Sequence, residues 1–361
     1  MLILNSQLII HTISAVPSTT TPAPAAPVRA WPITINTMPA TASASGSHIL
    51  VNVSMLGPAR YLADFARFVA QKGPQERHDA QALRELEQVP LHLPRGLELR
   101  WLGVSGYRMT YEGVTIFIDP YVSRVSLASV LRRVRAVPDS AMIDRFIGKP
   151  AKVAGVLVGH THFDHAVDAP ELCRRFHCNA YGSSSLAALL RVHGLGKRAI
   201  EVTPYRVYEL GPFEVSFTPS LHSKLVLGLA VPFAGELTCD HLDGLTPSAY
   251  RCGEVYGITI KVAGVSFYHQ GSANLVDDAV RERGVDYFLA GVAGRGFTPN
   301  YWPRILGRLE PHTIVPTHYD DFFRPLDQPM GLSTNVNLAK VPDEISAVSR
   351  DFQVAALGFG D

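Results

Sequence analysis

The sequence predicts an α/β fold, and three observations carry that expectation. Apolar residues make up 47% of the chain and charged residues 18%, enough material for a sizeable buried core. Short valine-rich and aromatic runs alternate with segments of helical spacing along most of the chain. One of these runs, Val153 to Val158, leads directly into Gly159-His160-Thr161-His162-Phe163-Asp164-His165, so a buried strand delivers three histidines and an aspartate to its own end.

Taken in order, the chain opens on a stretch of a different kind. Ser, Thr, Pro and Ala dominate from Pro17 to Pro39, and residues 1–54 read as a low-complexity, disordered tail that can serve as a tether. Met1 to Ile13 lacks a basic start and is interrupted by Asn5, Ser6 and Gln7, a poor signal peptide, and Met55 is an alternative start. Residues 55–96 read as a helical lead segment. Leu62, Phe65, Phe68 and Val69 give an amphipathic face between Pro58 and Glu87, broken near Gly73-Pro74, that is expected to pack on the core. Peripheral membrane contact is the alternative use of such a face. Residues 97–361 then form one domain. Its expected helices are Glu171 to Phe176, Ser183 to His193, Asp277 to Arg283 and Pro303 to Leu309. Its expected strands include Glu214 to Thr218, Tyr256 to Ala263, Val265 to His269, Tyr287 to Ala290 and Thr313 to Val315.

Charge and cysteine content narrow the function classes. A net charge of +1 supplies no field for nucleic acid. No stretch approaches the roughly 18 apolar residues of a membrane span, so the expectation is a cytoplasmic protein. Cys173, Cys178, Cys239 and Cys252 show neither zinc-finger nor Cys-x-x-Cys spacing and read as reduced packing residues, although Cys239 and Cys252 can pair in an oxidising compartment.

The histidine-rich run carries the chemistry. Side chains alternate along a strand, so His160 and His162 point the same way if the extended backbone persists, and can share one metal ion. Asp164 and His165 follow into a turn and point to a second position. Imidazole nitrogens with one carboxylate suit Zn(II), with Mn(II) or Fe as alternatives. A histidine-rich surface turn is the bland reading. With 14 His in 361 residues, such a run arises by chance on the order of once in a thousand chains. His177, His193, His241 and His312 have no ligand spacing and read as surface or core residues. Asp119, at a strand end, is either an ordinary turn residue or a carboxylate that orients a ligand histidine through its free ring nitrogen, and His269 is a weaker candidate to touch the site.

His160-x-His162-x-Asp164-His165 resembles the signature of the metallo-β-lactamase superfamily of binuclear metal hydrolases. The resemblance runs from about Gly96 to Phe323. Leu99 to Gly106 and Val114 to Pro120 look like that fold's opening strands, Thr218 to Ser223 like the segment supplying a further histidine, His222, and Val315 to Tyr319 like the last ligand segment, with His318. The layout is most similar to the branch of ascorbate-6-phosphate lactonases and N-acylphosphatidylethanolamine phospholipase D. The resemblance implies a four-layered αβ/βα sandwich with metals at one edge, His160, His162 and His222 on the first ion, and Asp164, His165 and His318 on the second. It also implies a bridging aspartate, yet Ser272 stands where that residue is expected. Asn274 offers a carbonyl oxygen instead, and Asp277 or Asp278 can approach by another loop path. A neutral group binds a divalent cation less well than a carboxylate, so one firmly held Zn(II) and a weaker second ion are expected.

The expected activity is a metal-dependent hydrolase that uses a metal-bound hydroxide on an ester-type bond, whether phosphodiester, lactone or carboxylic ester, with Asp164 orienting the nucleophile or taking its proton. Tyr319, Phe322 and Phe323 after His318, and Leu225, Val226 and Leu227 after His222, suggest an apolar rim for a small-molecule or lipid-like substrate. The alternative is a degenerate member that binds a metal and a ligand without turnover.

Overall fold

The computed structural model describes residues 73–225, 229–333 and 336–359. The tail reading of residues 1–54 and the first half of the Pro58–Glu87 helix lie outside them, as do Val226 and Leu227.

A helix, α1, covers residues 73–87, with Pro74 in the first described turn, where a missing N–H costs little. It buries Leu83 and Leu86 in the core, and its Asp79 accepts the Ala339 N–H at 2.9 Å. β1 (Glu98–Gly103) and β2 (Gly106–Tyr111) follow as a hairpin around Val104-Ser105, and β3 (Val114–Ile118) completes an antiparallel meander. After β3 the chain passes through two short helices, α2 (Leu127–Leu131) and α3 (Ser140–Phe146), before β4 (Lys152–Leu157). Then come α4 (Phe163–Ala166), α5 (Ala169–Phe176), β5 (Asn179–Gly182), α6 (Ser184–Val192) and β6 (Ala199–Glu201). The first sheet has the order β1-β2-β3-β4-β5-β6, parallel from β3 onward.

The second half repeats this plan. β7 (Tyr208–Leu210), β8 (Phe213–Ser220), β9 (Val255–Val262) and β10 (Val265–Gln270) pair antiparallel. β11 (Tyr287–Gly291), α7 (Tyr301–Leu309), β12 (Thr313–Thr317), α8 (Val341–Ser346) and β13 (Gln353–Val354) continue as parallel crossovers. The seven-stranded order is β13-β12-β11-β10-β9-β8-β7.

Sequence pattern explains which face each strand buries. β8 alternates, with Phe213, Val215 and Phe217 fully buried and Glu214 exposed, as a half-covered antiparallel strand should. β11 and β12 are buried at every residue, as parallel strands covered on both faces are. One core lies between the sheets, where Leu99, Met109 and Ile116 meet Phe217, Ile258 and Phe267, and it extends onto α7 and α8. A second core joins Phe117, Val156 and Val158 to Ile143, Leu172, Leu186 and Leu190 of α3, α5 and α6. The result is the expected helix, sheet, sheet, helix sandwich.

One expected helix is corrected. Asp277 to Arg283 forms only a 3-10 turn at Asp277–Ala279. Asp277 is drawn onto α7 by Arg304 at 2.5 Å and Arg308 at 3.6 Å, and seven residues are too few to hold a helix without a buried stripe. The short elements β2, β5, β6, β7, β13, α2, α3 and α8 were not among the expected ones.

Candidate metal centre

The histidine run leaves its strand earlier than an extended reading requires. β4 ends at Leu157, Val158 N–H still donates to Tyr181 O at 2.9 Å, and Gly159 N–H turns to Asp119 Oδ1 at 2.7 Å. His162 is the N-cap of α4, and Asp164 and His165 lie in that single helical turn. Strand alternation therefore does not align His160 with His162; a loop and a helix start do. Their ring centroids are 4.8 Å apart.

Six side chains converge in two groups, His160 with His162 and His222, and Asp164 with His165 and His318. Within each group the candidate ligand atoms all lie within 4.8 Å of one another, and all six residues are buried. His222, just past the end of β8, has its ring 4.9 Å from His160 and 4.7 Å from His162. His318, just past the end of β12, places Nε2 3.3 Å from Asp164 Oδ2, and His165 Nε2 lies 3.7 Å from the same oxygen.

The outer ring nitrogens test whether a metal fits. His162 Nε2 donates to Pro232 O at 2.8 Å, His222 Nδ1 to Ser223 O at 2.7 Å, and His165 Nδ1 to Asp119 Oδ2 at 2.8 Å. A carbonyl or carboxylate oxygen only accepts, so each outer nitrogen carries the hydrogen and the other is left with its lone pair. His160 Nε2 is buried without a protein partner. Burial drives the His160 imidazole well below its ordinary range, His162 down to about 4 and His222 down to about 3, so all three are neutral donors at pH 7. Burial alone would raise Asp164, but His165, His318 and His162 outweigh it and hold the carboxyl below the usual range. Burial would lower His165, but Asp119 and Asp164 outweigh it and raise the imidazole above its ordinary value. Three neutral imidazoles in the first group, and two imidazoles around an ionised carboxylate in the second, are donor sets that fit a divalent cation.

Asp119 sits behind His165 at the end of β3, in left-handed backbone with φ of 42°. Gly271 lets it approach: a Cβ there would lie 2.8 Å from Asp119 Oδ2 and 2.9 Å from His165 Cε1. His269 packs on the far side of Asp119, 3.8 Å from Oδ2, and its Nε2 donates to Ser105 O at 3.0 Å, so it faces away from the two triads. Ser272 Oγ accepts the Ser223 N–H at 3.0 Å, in the segment that carries His222. Asn274 braces the same segment, its Nδ2 donating to His222 O at 3.4 Å while its Oδ1 accepts the Leu275 N–H at 2.9 Å. Asp277 is engaged on α7, and Asp278 faces Arg308 at 3.4 Å. Among the described residues no further carboxylate joins either triad.

Two contributors were absent from the sequence reading. Asp168, three residues past His165, is buried and accepts the Val122 and Ser123 N–H groups at 2.6 and 3.0 Å and the Ser123 hydroxyl, pinning the loop after Asp119. Burial pushes its carboxyl up to about 6 despite those bonds. Its place in the run was a weak signal, since aspartate before a helix is common. Pro232 acts through its carbonyl, which leaves no mark in sequence. The expected apolar rim is corrected in one respect: Tyr319 is core, 5.0 Å from Trp101 between ring centroids and 1% exposed. Phe322 has its ring 5.8 Å from His318, and Phe233 lies 6.5 Å from His162.

The fold and this double triad define a metal-site protein of the metallo-β-lactamase type. Residues 98–318, more than half of the chain, match the model of the beta-lactamase superfamily domain, and the chain belongs to that superfamily. A UPF0173 metal-dependent hydrolase of Methanopyrus kandleri is 25% identical over 236 residues, covering 64% of this chain and 87% of that one. A UPF0173 metal-dependent hydrolase of Anaeromyxobacter sp. (strain K) is 26% identical over 237 residues, covering 62% and 75%. Among solved structures, Igni18, a metallo hydrolase of Ignicoccus hospitalis, superposes with a TM-score of 0.47 at 19% identity, covering 73% of this chain and 96% of that one. Among the described residues no helix is long and apolar enough to cross a membrane.

Proposed function

We infer that the chain is a metal-dependent hydrolase acting on an ester-type bond, with His160, His162 and His222 holding one ion firmly and Asp164, His165 and His318 holding a second more weakly. The observation that carries this reading is the arrangement of the ring nitrogens: three outer nitrogens are engaged by oxygens while the inner ones face their neighbours. The names of the UPF0173 relatives support the activity class. Zn(II) suits the donor set best. The second position is weaker because Ser272 supplies a neutral hydroxyl that is already bonded to Ser223.

When bound, a divalent ion supplies Lewis acidity, acidifying a water and polarising the carbonyl or phosphoryl oxygen under attack. Asp164, held ionised in the cluster, orients the attacking water and can take its proton at Oδ2. Asp119 keeps the His165 hydrogen on Nδ1, so Nε2 always faces inward. Phe322 and Phe233 flank the two triads with apolar surface, which supports a lipid-like or acylated substrate. The similarity to the lactonase and phospholipase D branch supports lactones and phosphodiesters as first choices.

The test is metal content by plasma mass spectrometry, on protein purified without chelator, beside hydrolysis of an aryl phosphodiester, a γ-lactone and an aryl ester. Hydrolysis that disappears with chelator and returns with Zn(II) is expected. Protein that carries metal but opens none of these bonds would favour the non-catalytic reading, and protein that carries no metal would overturn the site.

A further inference from the structure

The loops after β3 and β12 are joined by a buried ion pair. Arg124 Nη2 lies 2.7 Å from Asp320 Oδ2, and the two side chains are 1% and 3% exposed. Arg124 follows Asp119 on the first loop, and Asp320 follows His318 by two residues on the second. Asp320 Oδ1 also accepts the Val104 N–H at 2.9 Å. Val104 O in turn accepts the His318 N–H at 2.9 Å and the Thr317 hydroxyl. Arg124 Nη1 reaches Asp321 O at 3.5 Å. The β1–β2 hairpin turn, the Asp119 loop and the His318 turn therefore share one knot of polar contacts.

The backbone in this knot is strained. Val104, Asp119, Arg124 and His318 have φ of 52°, 42°, 45° and 62°, and none is glycine. Such conformations persist in residues with a β-carbon only where the surroundings over-determine them. Space is reserved for the pair as well, since a Cβ on Gly103 would overlap the Arg124 guanidinium.

His318, like His160, differs from the other three candidate ligand histidines in how its ring is held. His162, His165 and His222 each have an outer nitrogen bonded to an oxygen, whereas His318 Nδ1 is buried without a protein partner. Its direction is thus set by the backbone turn, and that turn is fixed through Val104 by Asp320 and Arg124.

We propose that the Arg124–Asp320 ion pair is a positioning pair for the second metal position, fixing the turn that brings His318 to Asp164 and His165. This rests on the two-position reading above. The pair is too buried to touch substrate. The outer partners of the first triad, Pro232 and Ser223, do not contact it, so its loss weakens the second ion and spares the first.

The experiment is calorimetric titration of chelator-stripped protein with Zn(II), with thermal melting of each stripped protein alongside. The main variant, Arg124→Met with Asp320→Asn, keeps an acceptor for the Val104 N–H and leaves no unpaired buried charge. Wild type is expected to show two binding events; in the double variant the second weakens by about 10–100-fold while the first stays within about 2-fold. Arg124→Lys, which keeps the charge and loses the planar fork, falls between. Two unchanged events in the double variant, or equal weakening of both with a lower melting temperature, would overturn the proposal while leaving the site reading intact. Fewer than two events in the wild type would overturn the two-position reading and this proposal together. If the double variant does not fold, Arg124→Lys decides: a weaker second event at unchanged melting supports the pair, and an unchanged second event overturns it.

Discussion

In the first triad three buried imidazoles face one another; in the second, two imidazoles face a carboxylate. Burial strips protons from the first group, holding His162 at about 4 and His222 at about 3, so nothing must be displaced before a cation enters at neutral pH. The second group has already spent part of its attraction internally: Asp164 sits 3.3 Å from His318 and 3.7 Å from His165, and Asp119 with Asp164 raises the His165 imidazole. An ion arriving there competes with the attraction between Asp164 and the His165 imidazole, whose hold on a proton is raised. The difference teaches that two groups of buried ligand-type side chains sharing one loop can differ in protonation and in outer partners, in addition to any difference in ligand number.

The comparison breaks most severely if the first triad is opened. His160→Ala is expected to remove the firmly held ion and with it hydrolysis, a loss larger than the roughly 10–100-fold of an outer-partner change; metal content and turnover, measured together, check it. Acidification separates the triads next. In stripped protein the folded values of His162 and His222 lie below the unfolded value of 6.5, so the unfolded chain binds more protons as pH falls from about 6.5 toward about 3, and stability drops over that window. His162 alone is worth on the order of 3 kcal/mol across it. His165 has the opposite sign: its contribution is present below 6.5 and is lost as pH rises through its elevated folded value. Urea titrations of stripped protein between pH 4 and 8 would check the net slope, and stability independent of pH from about 6.5 to 4 would contradict the neutral-imidazole account.

Asp119→Asn comes third. It removes the charge that keeps the His165 hydrogen on Nδ1 and should weaken the second ion by about 10–100-fold with little change at the first. Ser272→Asp is the smallest and runs the other way: a carboxylate where the resemblance expects the bridging aspartate should tighten the second ion by about 10-fold, read as a rise in metal stoichiometry at fixed Zn(II). No gain would mean that the Ser223 N–H, 3.0 Å from the present hydroxyl, keeps the new side chain turned away.

Much of this was legible in the sequence, for identifiable reasons. A strand ending in candidate ligands was visible because a valine run followed by His-x-His-x-Asp-His has few other uses, and β8 to β12 were visible through their alternating or continuous apolar and β-branched residues. His222 and His318 were reached through resemblance, since a lone histidine after a strand has no local signature. Asp119 lies 2.8 Å from His165, the kind of contact expected of a carboxylate that orients an imidazole. The Asp277 helix failed because ion pairs to α7, remote in sequence, override local spacing. Tyr319 failed because the side chain next to a ligand turned inward onto Trp101, and sequence does not say which way a residue faces once the backbone enters left-handed space. Arg124, Asp320 and Pro232 were invisible because their roles exist only between distant segments.

The Pro232 contact ties the first triad to a segment remote in sequence. Residues 229–254 are tied to the body of the molecule by the Cys252 carbonyl on Thr161 N–H at 2.9 Å, the Leu237 N–H on Ser185 Oγ at 3.0 Å, the Leu245 carbonyl on Ala136 N–H at 2.7 Å, the Tyr250 hydroxyl on Ala136 O at 2.8 Å, and the Pro232 carbonyl on His162 at 2.8 Å. Removing the Pro232 carbonyl from His162 would take away the outer partner that orients its ring, so the geometry of this segment and that of the first triad are linked. Slower amide deuteration at Leu237 when Zn(II) is added is the expected sign of that link.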